Sequence, residues 1–201
     1  MATVETDVLD LGPQSNGLLL SPEEFDAADF EPGWRYELVH GVLIVNPPPG
    51  LQERDPNEEL GRWLRNYRQT HLRGRSLDFT VSEQTVHIGS HRRRVDRAIW
   101  AGLGRLPHEN ETPAITVEFV SPGRRSRLRD YEVKRDEYRA AGVLEYWIID
   151  RFQRSMTVHV FDPGRTATHT VAETQTYTTP QLPGFELPLG ALLELIDRWE
   201  P

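Results

Sequence analysis

The spacing of apolar positions predicts short helices and strands in alternation rather than one repeating period. Ser21-Pro22-Glu23-Glu24 has the form of a helix start, with Ser21 as N-cap, Pro22 in the first turn and Glu24 completing a capping box. Pro32-Gly33 ends that short helix. Trp34 to Val39 and Val42 to Val45, separated by His40-Gly41, read as a hairpin with a tight turn, and Pro47-Pro48-Pro49-Gly50 stops it. Residues 56–71 return to helical spacing, with Leu60, Trp63, Leu64 and Tyr67 on one face. Ser76 to Val81, Thr85 to Ile88 and Arg94 to Trp100 are strand-like, Arg105 to Pro113 is a polar loop, and Ala114 to Val120 reads as a buried strand. The clearest helix runs from Ser126 or Arg127 to Ala141, with Gly142 in the position of a left-handed cap. Val143 to Asp150 and Met156 to Phe161 follow as a strand hairpin, and the last amphipathic helix spans Leu189 to Trp199. The pattern predicts an α+β (or α/β) fold, a mixed sheet flanked by helices, in a single domain over residues 21–201 behind a flexible arm at residues 1–20.

Composition narrows the chemistry. A chain of 201 residues can bury a sizeable core, and the absence of cysteine excludes disulfides, thiolate metal sites and a cysteine nucleophile. No stretch reaches the roughly 18 consecutive apolar residues that a membrane helix needs. Residues 1–10 hold acids and no basic residue, unlike the start of a signal peptide, so a soluble, cytoplasmic protein is expected. A net charge of −8 argues against coating nucleic acid by electrostatics alone. The positive charge is nevertheless clustered, at His91-Arg92-Arg93-Arg94 and at Arg124-Arg125-Ser126-Arg127-Leu128-Arg129. Two readings stay open for these clusters: solvated loops, or an anion-binding rim.

The candidate chemistry lies in Val95-Asp96, then Val117-Glu118-Phe119-Val120-Ser121-Pro122, then Asp130, Lys134 and Tyr138. A carboxylate inside an apolar strand is costly, because desolvation disfavours its charged form. Two such carboxylates on neighbouring strands also repel each other, and a hard divalent cation relieves both problems. Lys134, on the helix after the Glu118 strand, can reach back over the strand end to orient a water or stabilise phosphate charge. Arg124 and Arg127 at the mouth of that helix could hold a phosphate backbone. Each residue also has a purely structural explanation. Lys134 could pair with Asp130 one turn earlier, Asp96 with Arg94 or Arg97, and Glu118 could accept a bond from Tyr138 or Tyr36. The histidines show no metal-ligand spacing, Ser121 lacks the glycine of a nucleophile elbow, and no phosphate-binding loop or dinucleotide fingerprint is present.

At these residues the chain resembles the Uma2 (DUF820) family of the PD-(D/E)xK restriction-endonuclease-like superfamily. The resemblance is carried by Tyr36 to Gly41, Val95-Asp96, Val117 to Pro122, Asp130, Lys134, Tyr138, Gly142 to Asp150 and Leu182 to Phe185. It implies a restriction-endonuclease-like fold in which Asp96 and Glu118 bind Mg²⁺ (or Mn²⁺). The lysine expected two residues after the acid is replaced by Val120, and the resemblance implies that Lys134 takes its role. Glu37 would join the metal or its water network. Arg97 stands where an apolar strand residue is expected.

Two functions are weighed. One is a Mg²⁺-dependent endonuclease with Asp96, Glu118, Lys134 and Glu37 as its site, and Arg94, Arg124, Arg125 and Arg127 contacting nucleic acid, DNA in preference to RNA. The other is a non-catalytic nucleic-acid- or protein-binding module on the same scaffold. Exposed edge strands favour a homodimer in either case.

Overall fold

The computed structural model describes residues 8–122 and 129–199. The chain divides into two compact units. One comprises the residues up to Pro48 together with His87–Arg94, the other Pro49–Val86 and Val95–Pro201.

In the first unit, β1 (Asp10–Leu11) pairs in parallel with β2 (Asp29–Phe30), and α1 (Pro22–Asp26) lies between them in sequence. The capping box is formed as expected: the Glu24 N–H donates to Ser21 Oγ at 3.1 Å, and the Ser21 N–H donates to the Glu24 carboxylate at 2.7 Å. The hairpin is β3 (Arg35–Val39) against β4 (Val42–Asn46). His40 and Gly41 have φ of 51° and 75°, the two positive values a two-residue hairpin turn requires. Residues 10–20 carry more structure than the arm the sequence suggests. Leu11 and Leu20 join Phe25, Tyr36, Leu38 and Leu43 in a small core, and residues 17–20 bond along β4. Their apolar side chains are too far apart to show a period, so only packing reveals them.

The second unit is built on a mixed sheet. Its strands are β5 (Leu77–Ile88), β6 (His91–Ala101), β7 (Ile115–Phe119), β8 (Glu145–Asp150), β9 (Ser155–Asp162) and β10 (Arg165–Ala172), with β5 and β6 each reaching into the first unit. The order is β10-β9-β8-β7-β6, with β5 also paired to β6. Only β7 and β8 run parallel; the crossover between them contains α3 (Lys134–Ala140), preceded by a π-helical turn at Arg129–Val133. Gly142, with φ of 86°, ends α3 in the left-handed conformation expected of its cap. Two strands expected at Ser76 to Val81 and Thr85 to Ile88 are one strand, β5, interrupted by a positive φ at Glu83. The small ladder β11 (Thr176–Thr178) with β12 (Glu186–Pro188) precedes α4 (Leu189–Asp197).

Helix α2 (Leu51–Thr70) starts five residues before the expected position. Pro56 lies near its N-terminal end and removes only the bond to the Gln52 carbonyl, so the helix continues through it. Leu60, Leu64 and Tyr67 of α2 pack with Leu189, Leu192, Leu193 and Ile196 of α4 on one face of the sheet, over Ile99, Ile115, Val117, Phe119, Trp147 and Ile149. Burying each such side chain contributes about 1.5–3 kcal/mol. In β7 the alternate residues Thr116 and Glu118 therefore face the other way. Among the described residues, no helix is long and apolar enough to cross a membrane.

On β9, His159 is buried, stacked between Tyr146 and Phe161, with its Nδ1 3.0 Å from Thr168 Oγ1 and its Nε2 without a hydrogen-bond partner among the described residues. Burial, with the nearby Arg135 adding to it, pushes its pKa down to about 4. The unfolded chain takes up this proton near pH ~6.5 and the folded chain only near 4, so the stabilisation is complete above the unfolded value and lost as pH falls through the folded one. Urea unfolding followed from pH 7 to pH 4 is expected to show a shallower loss of stability for His159→Phe than for the wild type. Parallel pH profiles would refute the assignment.

Candidate active site

Strands β6 and β7 are antiparallel neighbours, pairing Arg97 with Val117, Ala98 with Thr116 and Ile99 with Ile115. One step further along this register, Asp96 faces Glu118. Residues directly opposite in an antiparallel pair project on the same side, so both carboxylates lie on the sheet face away from α2. Asp96 and Glu118 are buried. The Phe119 N–H donates to Asp96 Oδ2 at 2.7 Å, which holds that carboxylate against β7.

The segment after β7 covers this face. Asp130, Lys134 and Tyr138 are spaced four apart and so share one helical side. Lys134 Nζ lies 2.8 Å from Glu118 Oε1 and 3.5 Å from Asp130 Oδ1, and Tyr138 Oη donates to the same Glu118 oxygen at 2.7 Å. Lys134 is only 2% exposed, so it is not the solvent-facing partner of Asp130 that the sequence left open. Tyr146 Oη bonds the Asp130 carbonyl at 3.0 Å and its ring packs edge-on against Tyr138, which fixes α3 over β8. Glu118 thus accepts the bond from Tyr138 and pairs with Lys134 at once.

The opposite face of the same strands holds Arg97, 1% exposed. Its Nε donates to Asn57 Oδ1 at 2.8 Å and its Nη2 to the Asn57 carbonyl at 2.6 Å, while Asn57 Nδ2 donates to the Asp96 carbonyl at 2.7 Å. Gly61 leaves room for this guanidinium: a Cβ there would be 2.6 Å from Nη2. Burial pulls the Arg97 pKa down to about 10, against a partial counter-effect from Glu58. The polar bonds explain why an arginine stands where an apolar residue is expected. Asn57 escaped the sequence reading, although it lies on the Leu60–Leu64–Tyr67 stripe, where a polar residue signals a buried bond.

Glu37 and Arg94 belong to the first unit, where the Glu37 carboxylate accepts the Arg94 N–H at 3.0 Å and lies 3.8 Å from the Arg93 guanidinium. Arg124, Arg125 and Arg127 lie outside the described residues.

The family model Uma2, described as "Putative restriction endonuclease", matches residues 22–190. The chain belongs to the Uma2 family. Among solved structures, one from Anabaena variabilis described as "a putative nuclease belonging to DUF820" matches with a TM-score of 0.68 at 14% identity, over 88% of this chain and 99% of that one. At that identity the likeness speaks for the fold, a mixed sheet with helices as expected from the resemblance. No curated protein matches the sequence.

The donor set of this Uma2 chain fits a hard divalent cation. Asp96 and Glu118 offer oxygen ligands from one face. Asp130, 3.5 Å from the Lys134 ammonium that also pairs with Glu118, brings a third buried carboxylate to the same lysine.

Removing one partner of a buried pair costs about 3–5 kcal/mol, because the other charge is left uncompensated. Lys134→Met is therefore expected to lower unfolding free energy by about that amount, and Lys134→Met combined with Glu118→Gln to recover much of it. Additive losses in a double-mutant cycle by chemical denaturation would show that the pair is not coupled.

Proposed function

We propose that this chain is a Mg²⁺- or Mn²⁺-dependent endonuclease that hydrolyses phosphodiester bonds in DNA, with water as the nucleophile. The observation that carries the reading is the Lys134 ammonium 2.8 Å from Glu118, on the sheet face that Asp96 shares. Asp96 and Glu118 would hold the metal, which when bound polarises a phosphate oxygen and lowers the pKa of a water ligand. Lys134, held between Glu118 and Asp130, supplies a positive donor for an anionic oxygen at the same place. Tyr138 and the Phe119 N–H orient the two carboxylates before any ligand arrives, which lowers the reorganisation needed during reaction. Glu37 and the arginines at 94, 124, 125 and 127 are proposed to assist the site and to hold the DNA backbone. Membership of a family described as "Putative restriction endonuclease" supports the substrate class.

Cleavage of plasmid and labelled duplex DNA with Mg²⁺ or Mn²⁺ tests this reading. Wild type is expected to cut, Asp96→Ala and Glu118→Ala to abolish cutting, and Lys134→Ala to slow it by about 100-fold or more. Calorimetric metal titration separates this from a non-catalytic binding module. Equal, negligible metal binding by wild type, Asp96→Ala and Glu118→Ala would discard the enzyme.

A homodimer is part of the proposal. β10 ends its sheet and carries Arg165 as its one Lys, Arg, Asp or Glu residue, so little charge guards its edge. Sedimentation equilibrium is expected to give twice the chain mass; a monomer throughout would remove this element.

A further inference from the structure

The two basic clusters evident in the sequence are not the longest one. From Leu60 to Leu77 there is no acidic residue, and Arg62, Arg65, Arg68, Arg73 and Arg75 fall within fourteen positions. The structure places this run on the second half of α2 and the turn that follows, and folds a sixth arginine against it. Arg68, Arg75 and Arg105 line one cavity of about 440 Å³, together with Leu77, Asp78, Gly104 and Leu106. Arg105 is engaged by Glu111 through two bonds of 2.8 Å, and Arg62 by Glu59 at 2.5 Å. Asp78 is turned inward, accepting the Leu103 N–H at 2.7 Å. Arg65, Arg68, Arg73 and Arg75 are exposed and form no ion pair among the described residues.

Four guanidiniums with no ion-pair partner among the described residues, within eleven positions of a chain with net charge −8, make a local positive patch that attracts anions. Guanidinium forks match phosphate oxygens bidentately, which makes arginine a residue of choice for binding a nucleic-acid backbone. Asn57, which holds the Asp96 backbone, is eleven residues before Arg68 on the same helix, about 16 Å along its axis. A duplex advances about 34 Å per turn, so the two positions correspond to roughly half a turn of DNA.

We infer that Arg65, Arg68, Arg73 and Arg75 form a docking surface for the phosphate backbone of duplex DNA, with Arg68 and Arg75 seating a phosphate in the cavity they share with Arg105. The surface takes its ligand from the nuclease reading but uses none of the residues of that site. Contacts of this kind carry no sequence information; they set the position of the duplex.

Fluorescence anisotropy of a labelled duplex, in EDTA so that binding is seen without cleavage, tests the surface. The variant Arg68→Glu/Arg75→Glu is compared with wild type and with Arg139→Glu/Arg198→Glu, which reverses the same charge at exposed positions outside the surface. The docking variant is expected to bind at least tenfold more weakly near ~50 mM salt, and the slope of log affinity against log salt is expected to fall by about 1.8 for two lost phosphate contacts. The control should keep most of the wild-type slope. Absence of binding by wild type, an unchanged slope in the docking variant, or an equal loss in the control would overturn the inference. If the docking variant alone loses binding while wild type never cleaves with metal, the surface stands and the nuclease reading falls. If wild type cleaves and the docking variant binds and cleaves as well as it does, the reverse holds.

Discussion

Glu118 is a carboxylate in the interior of a β-strand, and the second unit is arranged around that constraint. β7 is buried along its whole length and has neighbours on both sides, so water cannot solvate the charge. The compensation comes from the segment that crosses from β7 to β8. Lys134 and Tyr138 both reach the same Glu118 oxygen, and the spacing of four between them sets the rotation of α3 about its axis. Asp130, one turn earlier, holds the other side of the ammonium. The interaction that makes the strand tolerable is thus also the one that assembles the candidate site. Buried ion pairs rarely add much net stability over apolar packing; what this one supplies is a defined geometry for a lysine, an acid and a phenol beside Asp96.

Strand alternation gives the two faces of β6 and β7 different work. Asp96 and Glu118 point to α3, while Arg97 and Val117 point to α2. Arg97 is as strongly desolvated as its acidic neighbours, yet its hydrogen bonds run to Asn57 on α2 rather than to a carboxylate across the sheet. Asn57 returns a bond to the Asp96 backbone. One helix is therefore tied to the strand that carries a candidate metal ligand, and Gly61 is required because a larger residue would overlap the guanidinium. The same helix then continues into the arginine run at its far end, linking the support of Asp96 and the proposed DNA-docking surface in one rigid rod.

Most elements with a clear period were legible. The capping box at Ser21, the His40-Gly41 turn, the stripe of α2, the strand around Glu118 and the glycine cap at Gly142 each leave a local signature that tertiary packing then followed. β10 was missed because Arg-Thr-Ala-Thr-His-Thr-Val-Ala buries only Val171, and an edge strand with one buried side chain has no alternation to read. The short ladder of β11 and β12 is stabilised partly through Tyr177 and Thr179, which donate to buried Glu145; that bond joins residues more than thirty positions apart and leaves no local trace. The first turn of α2 was not legible because Leu51 to Asp55 add no residue to the buried stripe, which begins at Pro56 and Asn57.

From the sequence alone came the element types, the two acids in strands, the lysine on the next helix, and the family resemblance that joined them. These follow from local physics: periodicity, capping, and the cost of a charge inside an apolar run. Only the tertiary structure decided that Asp96 and Glu118 share a face, because that depends on strand register, and that Lys134 turns inward to Glu118 instead of outward with Asp130. It also decided that Arg97 has partners, that Glu37 and Arg94 belong with the first unit, and that Arg105 joins Arg68 and Arg75 around one cavity. Each of these is a contact between distant segments, and the energy that selects it appears only once both segments have left water together.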